Sequence, residues 1–296
     1  MSDTIAHSAL TGRELALPFL NRPYAERQFI VVAPDEIAEA ELEAKDKGDT
    51  KAAKIDWAKI GESTLTLMTG GGGTLIAATA LDAIKAWNRM RAAGTAITTV
   101  KRSDAATLIF TPGHPRDGHL YVGHPAVPRI YHTPAMFHRL CFEHKFCEAI
   151  RLIAALGARK ISVEHVSGWS KEFLANLSLP HGHAGTVGAK AGGKSKSAAK
   201  LLFTAKYAGD HEPEVPQNLV WYPHEALWQQ IAHDRLQYGL TDFNLTVRYE
   251  EDFGVDAAFV ANVCKSKLSL GGTFEAQRNT VWRLVGKFRP MTKKTT

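Results

Sequence analysis

Asp242-Phe-Asn-Leu-Thr-Val-Arg-Tyr249 and Thr280-Val-Trp-Arg-Leu-Val-Gly-Lys-Phe288 are the two stretches that decide the fold class of this chain. In the first, Phe243, Leu245, Val247 and Tyr249 point one way, while Asp242, Asn244, Thr246 and Arg248 point the other. In the second, Trp282, Leu284, Gly286 and Phe288 share one face. Such period-two alternation marks strands with one dry and one wet face. Parallel sheets are covered on both faces, so these strands belong to a sheet that is at least partly antiparallel. The expected class is α+β: a mixed, largely antiparallel sheet with packed helices and two inserts between strands.

Working back from these strands, Pro223 to Tyr238 reads as a helix closed by Gly239. The clearest helix is Ala135–Leu156. Phe142, Phe146, Ala149, Ile150, Ile153 and Leu156 fall on one stripe, Pro134 precedes the first turn and Gly157 ends the helix. Strand Lys160–Val166 follows and strand His119–Val122 precedes, which gives a strand–helix–strand unit over 119–166. Further upstream, Thr95–Lys101 and Ala105–Phe110 are β-rich. Ser63–Thr69 alternates as a half-buried strand, and Gly70–Gly73 lead into a helical stretch, Leu75–Ala93. Residues 28–33 form a continuous apolar run expected as a buried strand, and 35–47 an acidic, alanine-rich helix.

Charge divides the chain. Residues 1–62 hold 12 acidic and 8 basic side chains, although the 296 residues together carry a net charge of +6. The reading is an acidic N-terminal segment, 1–62, packed on a main basic domain, 63–296. A basic domain of this kind faces nucleic acid, membrane headgroups or the acidic segment itself. No apolar run reaches the ~18 residues of a membrane-spanning helix. Residues 1–8 lack the basic head and apolar stretch of a secretory signal. Cys141, Cys147 and Cys264 form no disulfide framework. A reducing, cytoplasmic setting is expected.

The sharpest motif is Gly188-Ala-Lys-Ala-Gly-Gly193-Lys194-Ser195, which fits the phosphate-binding pattern G-x-x-x-x-G-K-[ST]. In a working loop of that type the backbone amides cradle phosphates, the lysine reaches the terminal one and the hydroxyl holds magnesium. Its setting speaks against that role. The preceding Leu179-Pro-His-Gly-His-Ala-Gly-Thr-Val187 is polar rather than a buried strand, and 181–200 is built almost wholly of Gly, Ala, Lys, Ser and His. The favoured reading is a flexible, solvated insert at 181–200. Lys190, Lys194, Lys196, Lys200 and Lys206 then form a cationic finger for phosphate backbones or anionic membranes. Gly70–Gly73 could bind phosphate at a helix start, but a turn or hinge explains them as well.

Metal and catalytic readings fare worse. His138, Cys141, His144 and Cys147 recur every third residue, and on a helix that spacing fans them across half the cylinder. His138 is expected as a packed core histidine. Glu143-His-Lys145 resembles a nuclease E-x-K pattern but is expected as exposed charge on the helix. H-E-x-x-H and G-x-S-x-G are both missing. No catalytic residue, metal site or cofactor is assigned.

The last pattern is architectural. Strand 160–166, insert 170–200 and strand 201–207 are followed by strand 242–249, insert 254–270 and strand 273–288. Pore-forming proteins set helix-like inserts between strands in this way, and each insert exceeds the ~9–11 residues of a bilayer-crossing strand. The expected function is therefore a non-enzymatic cytoplasmic effector or interaction protein, able to form homo-oligomers. Its basic inserts would engage an anionic membrane surface. Nucleic-acid binding through the same lysines is the alternative, and nucleotide binding at Gly188, Gly193, Lys194 and Ser195 a second one.

Overall fold

A computed structural model describes residues 18–36, 38–39, 89–92, 94–117, 119–168, 200–208, 211–265 and 280–290. The expected strand 63–69 and Gly70–Gly73 lie outside the described residues, as do most of the helices 35–47 and 75–93. The chain divides into two compact units, Met1–Tyr131 and His132–Thr296. The fold is α+β, with two four-stranded sheets rather than one.

In the first unit, helix α1 (Tyr24–Arg27) leads into β1 (Phe29–Ala33), and β2 (Ile97–Lys101) runs into helix α2 (Arg102–Ala105). Strands β3 (Leu120–Gly123) and β4 (Tyr131–His132), the latter spanning the boundary so that His132 belongs to the second unit, complete a sheet of order β2-β1-β3-β4. Strand β1 lies parallel to β2 and antiparallel to β3. Every residue of its Phe-Ile-Val-Val-Ala run is buried, as a central strand covered on both faces requires. Ile30 and Val32 pack with Val100, Ala105, Leu108, Tyr121 and Tyr131.

The β-rich reading of Ala105–Phe110 is corrected. Residues 102–108 instead turn helically, with Thr107 N donating to Asp104 O and Leu108 N to Ala105 O. The Asp35 carboxylate accepts the Ser103 amide at 3.0 Å and so caps the turn from afar. Only Ile109 bridges like a strand residue, to Ile130.

The second unit holds helix α3 (Phe137–Ala155), strands β5 (Ala158–Ser167) and β6 (Lys200–Lys206), helix α4 (Ala226–Tyr238), strand β7 (Asp242–Tyr249), helix α5 (Ala257–Lys265) and strand β8 (Thr280–Phe288). Its sheet has the order β6-β5-β8-β7, antiparallel throughout. The strand–helix–strand unit over 119–166 is corrected on one point: its elements exist, but β3 lies in the first sheet and β5 in the second. None of the helices among the described residues is long and apolar enough to cross a membrane.

Aromatic side chains fill the core between α3 and this sheet. The Phe146 and Phe142 rings lie 5.0 and 5.5 Å from Trp282, and Phe142 lies 6.0 Å from Tyr249. Each such side chain contributes about 1.5–3 kcal/mol by burial. Leu156 and Gly157 (φ +85°) form the turn that ends α3 as expected. Gly239, in the left-handed region at φ +71°, ends α4.

Two polar devices fix the segments around α3. Glu148, buried on the helix, accepts the backbone amides of Val220, Trp221 and Tyr222 at 2.7–2.8 Å. Lys145 is buried too, ion-paired with Glu225 and set over the Trp221 ring. The exposed-charge reading of Glu143-His-Lys145 is thereby corrected. Residues 220–225 cover this part of α3, and Glu143 is held by Arg139 at 2.8 Å. At the far end Arg235, also buried, donates to the carbonyls of Leu156, Leu240 and Arg289 at 2.9, 2.9 and 2.7 Å.

On β8, Gly286 pairs with Ile161 of β5 and Phe243 of β7. A Cβ there would lie 1.9 Å from the Lys160 carbonyl oxygen and 2.6 Å from the Phe243 ring. Backbone cannot give way as a flexible side chain can. Gly286→Ala is expected to lower stability by about 3 kcal/mol, read as a shifted urea midpoint. A substitution with no effect would show that β5 and β8 are not paired in this register.

Candidate anion-binding surface

Of the expected lysines, Lys206 is the one that the described residues place on the wet face of the second sheet. Directly opposed residues of antiparallel strands project to the same side. Lys206 at the end of β6 pairs with Lys160 of β5, Lys160 with Lys287 of β8, and Lys287 with Asp242 of β7. Three lysines therefore stand in one row on successive strands. With strands about 4.8 Å apart, the row is about 10 Å long. All three are exposed. Lys287 alone has a carboxylate near it, Asp242 at 3.6 Å, with 77% and 63% of the two side chains exposed. A contact so open to water contributes little. Among the described residues neither Lys160 nor Lys206 has an ion-pair partner.

The next row of the same face is uncharged. Thr204, Ser162, Val285 and Asn244 lie in register. Beyond it Arg283 stands 3.7 Å from Glu164, and Arg248 is exposed on β7. The paired positions named here hold five cations (Lys160, Lys206, Arg248, Arg283 and Lys287) against two acids (Glu164 and Asp242). Hydroxyl and amide groups between the charges can donate to the oxygens of a bound anion.

The other end of the sheet carries both long connections. His165 pairs with Lys200, Ser167 with Val281 and Tyr249 with Thr280. Residues 168–199 and 250–279 accordingly leave and rejoin the sheet at the same end. Lys190, Lys194, Lys196, Gly188, Gly193 and Ser195 lie outside the described residues. Lys200 opens β6 and Lys206 closes it. At 3.2–3.4 Å per residue, the two are about 20 Å apart. The start of the second connection is folded down. Val255, Phe259 and Val263 are buried, and Asp256 Oδ1 accepts the Phe259 amide at 2.7 Å.

His138 ties that connection to α3. Its Nε2 lies 2.8 Å from the Val255 carbonyl and its Nδ1 3.1 Å from the Tyr249 hydroxyl. A carbonyl only accepts, so Nε2 carries the proton and Nδ1 accepts from the tyrosine. His138 is thus the packed, hydrogen-bonded core histidine that its place on the apolar stripe implied. Nearby, Trp282 Nε1 and His165 Nε2 are buried without a hydrogen-bond partner among the described residues, their rings 5.8 Å apart.

Two of the three thiols are shielded, whereas Cys264 is exposed on α5. Burial raises the Cys141 thiol far above its ordinary value and Cys147 to about 11, which keeps both protonated at neutral pH. Among the described residues no group of three His, Cys, Asp or Glu side chains could hold a metal ion. Sequence reasoning missed Lys160, Lys287 and Arg283. Their outward position could be read from alternation, but their alignment depends on the strand order. Compared with known protein families, curated protein sequences and solved structures, the chain matches none.

Acid should loosen this unit. Burial lowers the pKa of His132 to about 4, with a smaller effect from His144. Burial also lowers His138 and His144. Above pH ~6.5 these histidines are neutral both folded and unfolded, so their burial carries no proton-linked penalty. As pH falls, the unfolded chain takes up protons that the folded one refuses, down to about pH 4 for His132. Each such histidine removes up to ~1.4 kcal/mol of stability per pH unit. Urea midpoints should fall between pH 7 and pH 5, and more gently for His132→Gln. A pH-independent midpoint would refute neutral burial.

Proposed function

We propose that the protein is a non-enzymatic, cytoplasmic interaction protein that engages an anionic membrane surface through the basic connection between β5 and β6. One observation carries this reading: both long connections depart from the same end of one antiparallel sheet. Lys190, Lys194 and Lys196 lie within the first connection and Lys200 at its close; Lys265 and Lys267 lie within the second. Lysines near an anionic leaflet contribute about 1 kcal/mol each. The buried side of α5 gives the second connection an apolar stripe that could be turned to the bilayer.

A second reading, nucleic-acid binding, is favoured by a separate observation at the opposite end of the sheet. There the Lys206–Lys160–Lys287 row forms a line of positive charge.

Purified protein is expected to co-sediment with vesicles rich in phosphatidylserine at low salt and to release an entrapped dye. A variant lacking residues 185–200 should do neither. Binding without leakage would limit the role to surface attachment. Absence of both in the intact protein would remove the membrane reading.

A further inference from the structure

We propose that the wet face of the β6-β5-β8-β7 sheet is a contact surface for the phosphodiester backbone of nucleic acid, with Lys206, Lys160 and Lys287 as its phosphate-binding row. The inference rests on the nucleic-acid reading above and assigns that reading a surface. Its physical basis is an uncompensated cost. Like charges directly opposite one another across strands repel. Here the repulsion occurs twice in succession, at Lys206↔Lys160 and Lys160↔Lys287. Asp242 relieves only the outermost lysine, at 3.6 Å and in open solvent. A polyanion laid along the row would convert both repulsions into attractions and release its own counterions.

The shape of the charge selects the partner. A line of lysines suits a linear chain of phosphates better than a planar leaflet. Ser162, Thr204 and Asn244 lie one row further on, in position to donate to phosphate or sugar oxygens, as such groups commonly do. The described residues of this face include no aromatic side chain on which a base could stack, so binding should be tolerant of sequence. Val281 and Val285 of β8 are both half-buried and offer little to seat among lipid headgroups.

The row stands on strands rather than on a loop. Lys160 and Lys287 flank the close approach at Gly286, where backbone meets backbone. Their spacing is therefore set before any ligand arrives, and little ordering remains to be done on binding.

The test is fluorescence anisotropy with labelled single-stranded and duplex oligonucleotides of two unrelated sequences, across a potassium chloride series. Lys160→Gln and Lys287→Gln are compared with Arg22→Gln, which removes the same charge from an exposed position of the first unit. Wild-type protein should bind both sequences alike. Each row substitution should weaken binding and flatten the salt slope by about 0.7–0.9 per lost phosphate contact; Arg22→Gln should leave both nearly unchanged. In a parallel thermal melt, free Lys160→Gln should be no less stable than wild type, because repulsion is relieved. Added oligonucleotide should raise the wild-type melting temperature more than that of the variant.

Oligonucleotide binding that Lys160→Gln and Arg22→Gln weaken equally would overturn the row as the contact, yet leave the nucleic-acid reading standing. Binding to anionic vesicles through Lys160, with none to oligonucleotide, would overturn it in favour of lipid. No binding to oligonucleotide under any salt condition would remove both the inference and the reading beneath it.

Discussion

A single buried cation, Arg235, fastens the second unit at the end of the sheet that carries the lysine row. Its guanidinium donates to Leu156 at the close of α3, to Leu240 before β7 and to Arg289 after β8. It also lies 4.9 Å from the centre of the Phe288 ring. One side chain thereby joins the carbonyls of three chain segments. Hydrogen bonds to a charged group are worth about 1.5–3 kcal/mol each. Taking the charge out of water opposes much of that gain, and burial accordingly lowers the Arg235 pKa. The net result is geometric more than energetic. The ends of α3, α4 and β8 are held in one arrangement, and the strands that bear Lys160 and Lys287 inherit it.

The other polar groups within this unit follow the same logic with different chemistry. Glu148 meets three amides of residues 220–222 and needs no cation to justify its burial. His138 remains neutral because burial disfavours its charged form, and its two ring nitrogens are satisfied by a carbonyl and a hydroxyl. Lys145 is matched by Glu225. Each buried polar group joins α3 to a segment distant in sequence. The helix therefore carries far more polar residues than its apolar stripe alone would predict. Charges left without such partners, the lysines above all, stand on the opposite, wet face of the sheet.

This division explains what could be read in the sequence. The alternation in 242–249 and 280–288 gave the strands and their dry faces, because a side chain's side of a strand is a local property. Helix ends were equally legible at Gly157 and Gly239, both of which adopt positive φ. The division into two sheets was not, since it depends on which strands pair. Register was out of reach for the same reason. β5 and β8 are more than a hundred residues apart, and irregularities between Ala158 and Lys160 and between His165 and Ser167 interrupt a simple count. Lys145 looked like a surface charge because nothing local announces that residues 220–225 will cover it. The lysine row is a product of pairing, and no single strand contains more than one of its members.

Like charges on hydrogen-bonded strands differ in kind from like charges on chain that no ladder holds. Chain of the second kind can relieve repulsion by moving side chains and backbone apart, so it stores little and selects little. On the sheet, the backbone positions of Lys206, Lys160 and Lys287 are fixed by hydrogen-bonded registers, and only the side chains can splay. The residual repulsion is a standing bias toward any anion of matching spacing, and it acts without a conformational change. That bias lies about 20 Å from the sheet end where the two long connections begin. One sheet therefore presents two basic features that differ in geometry, a linear one on its face and a pair of connections at its end, and each sets its own requirement on what can bind.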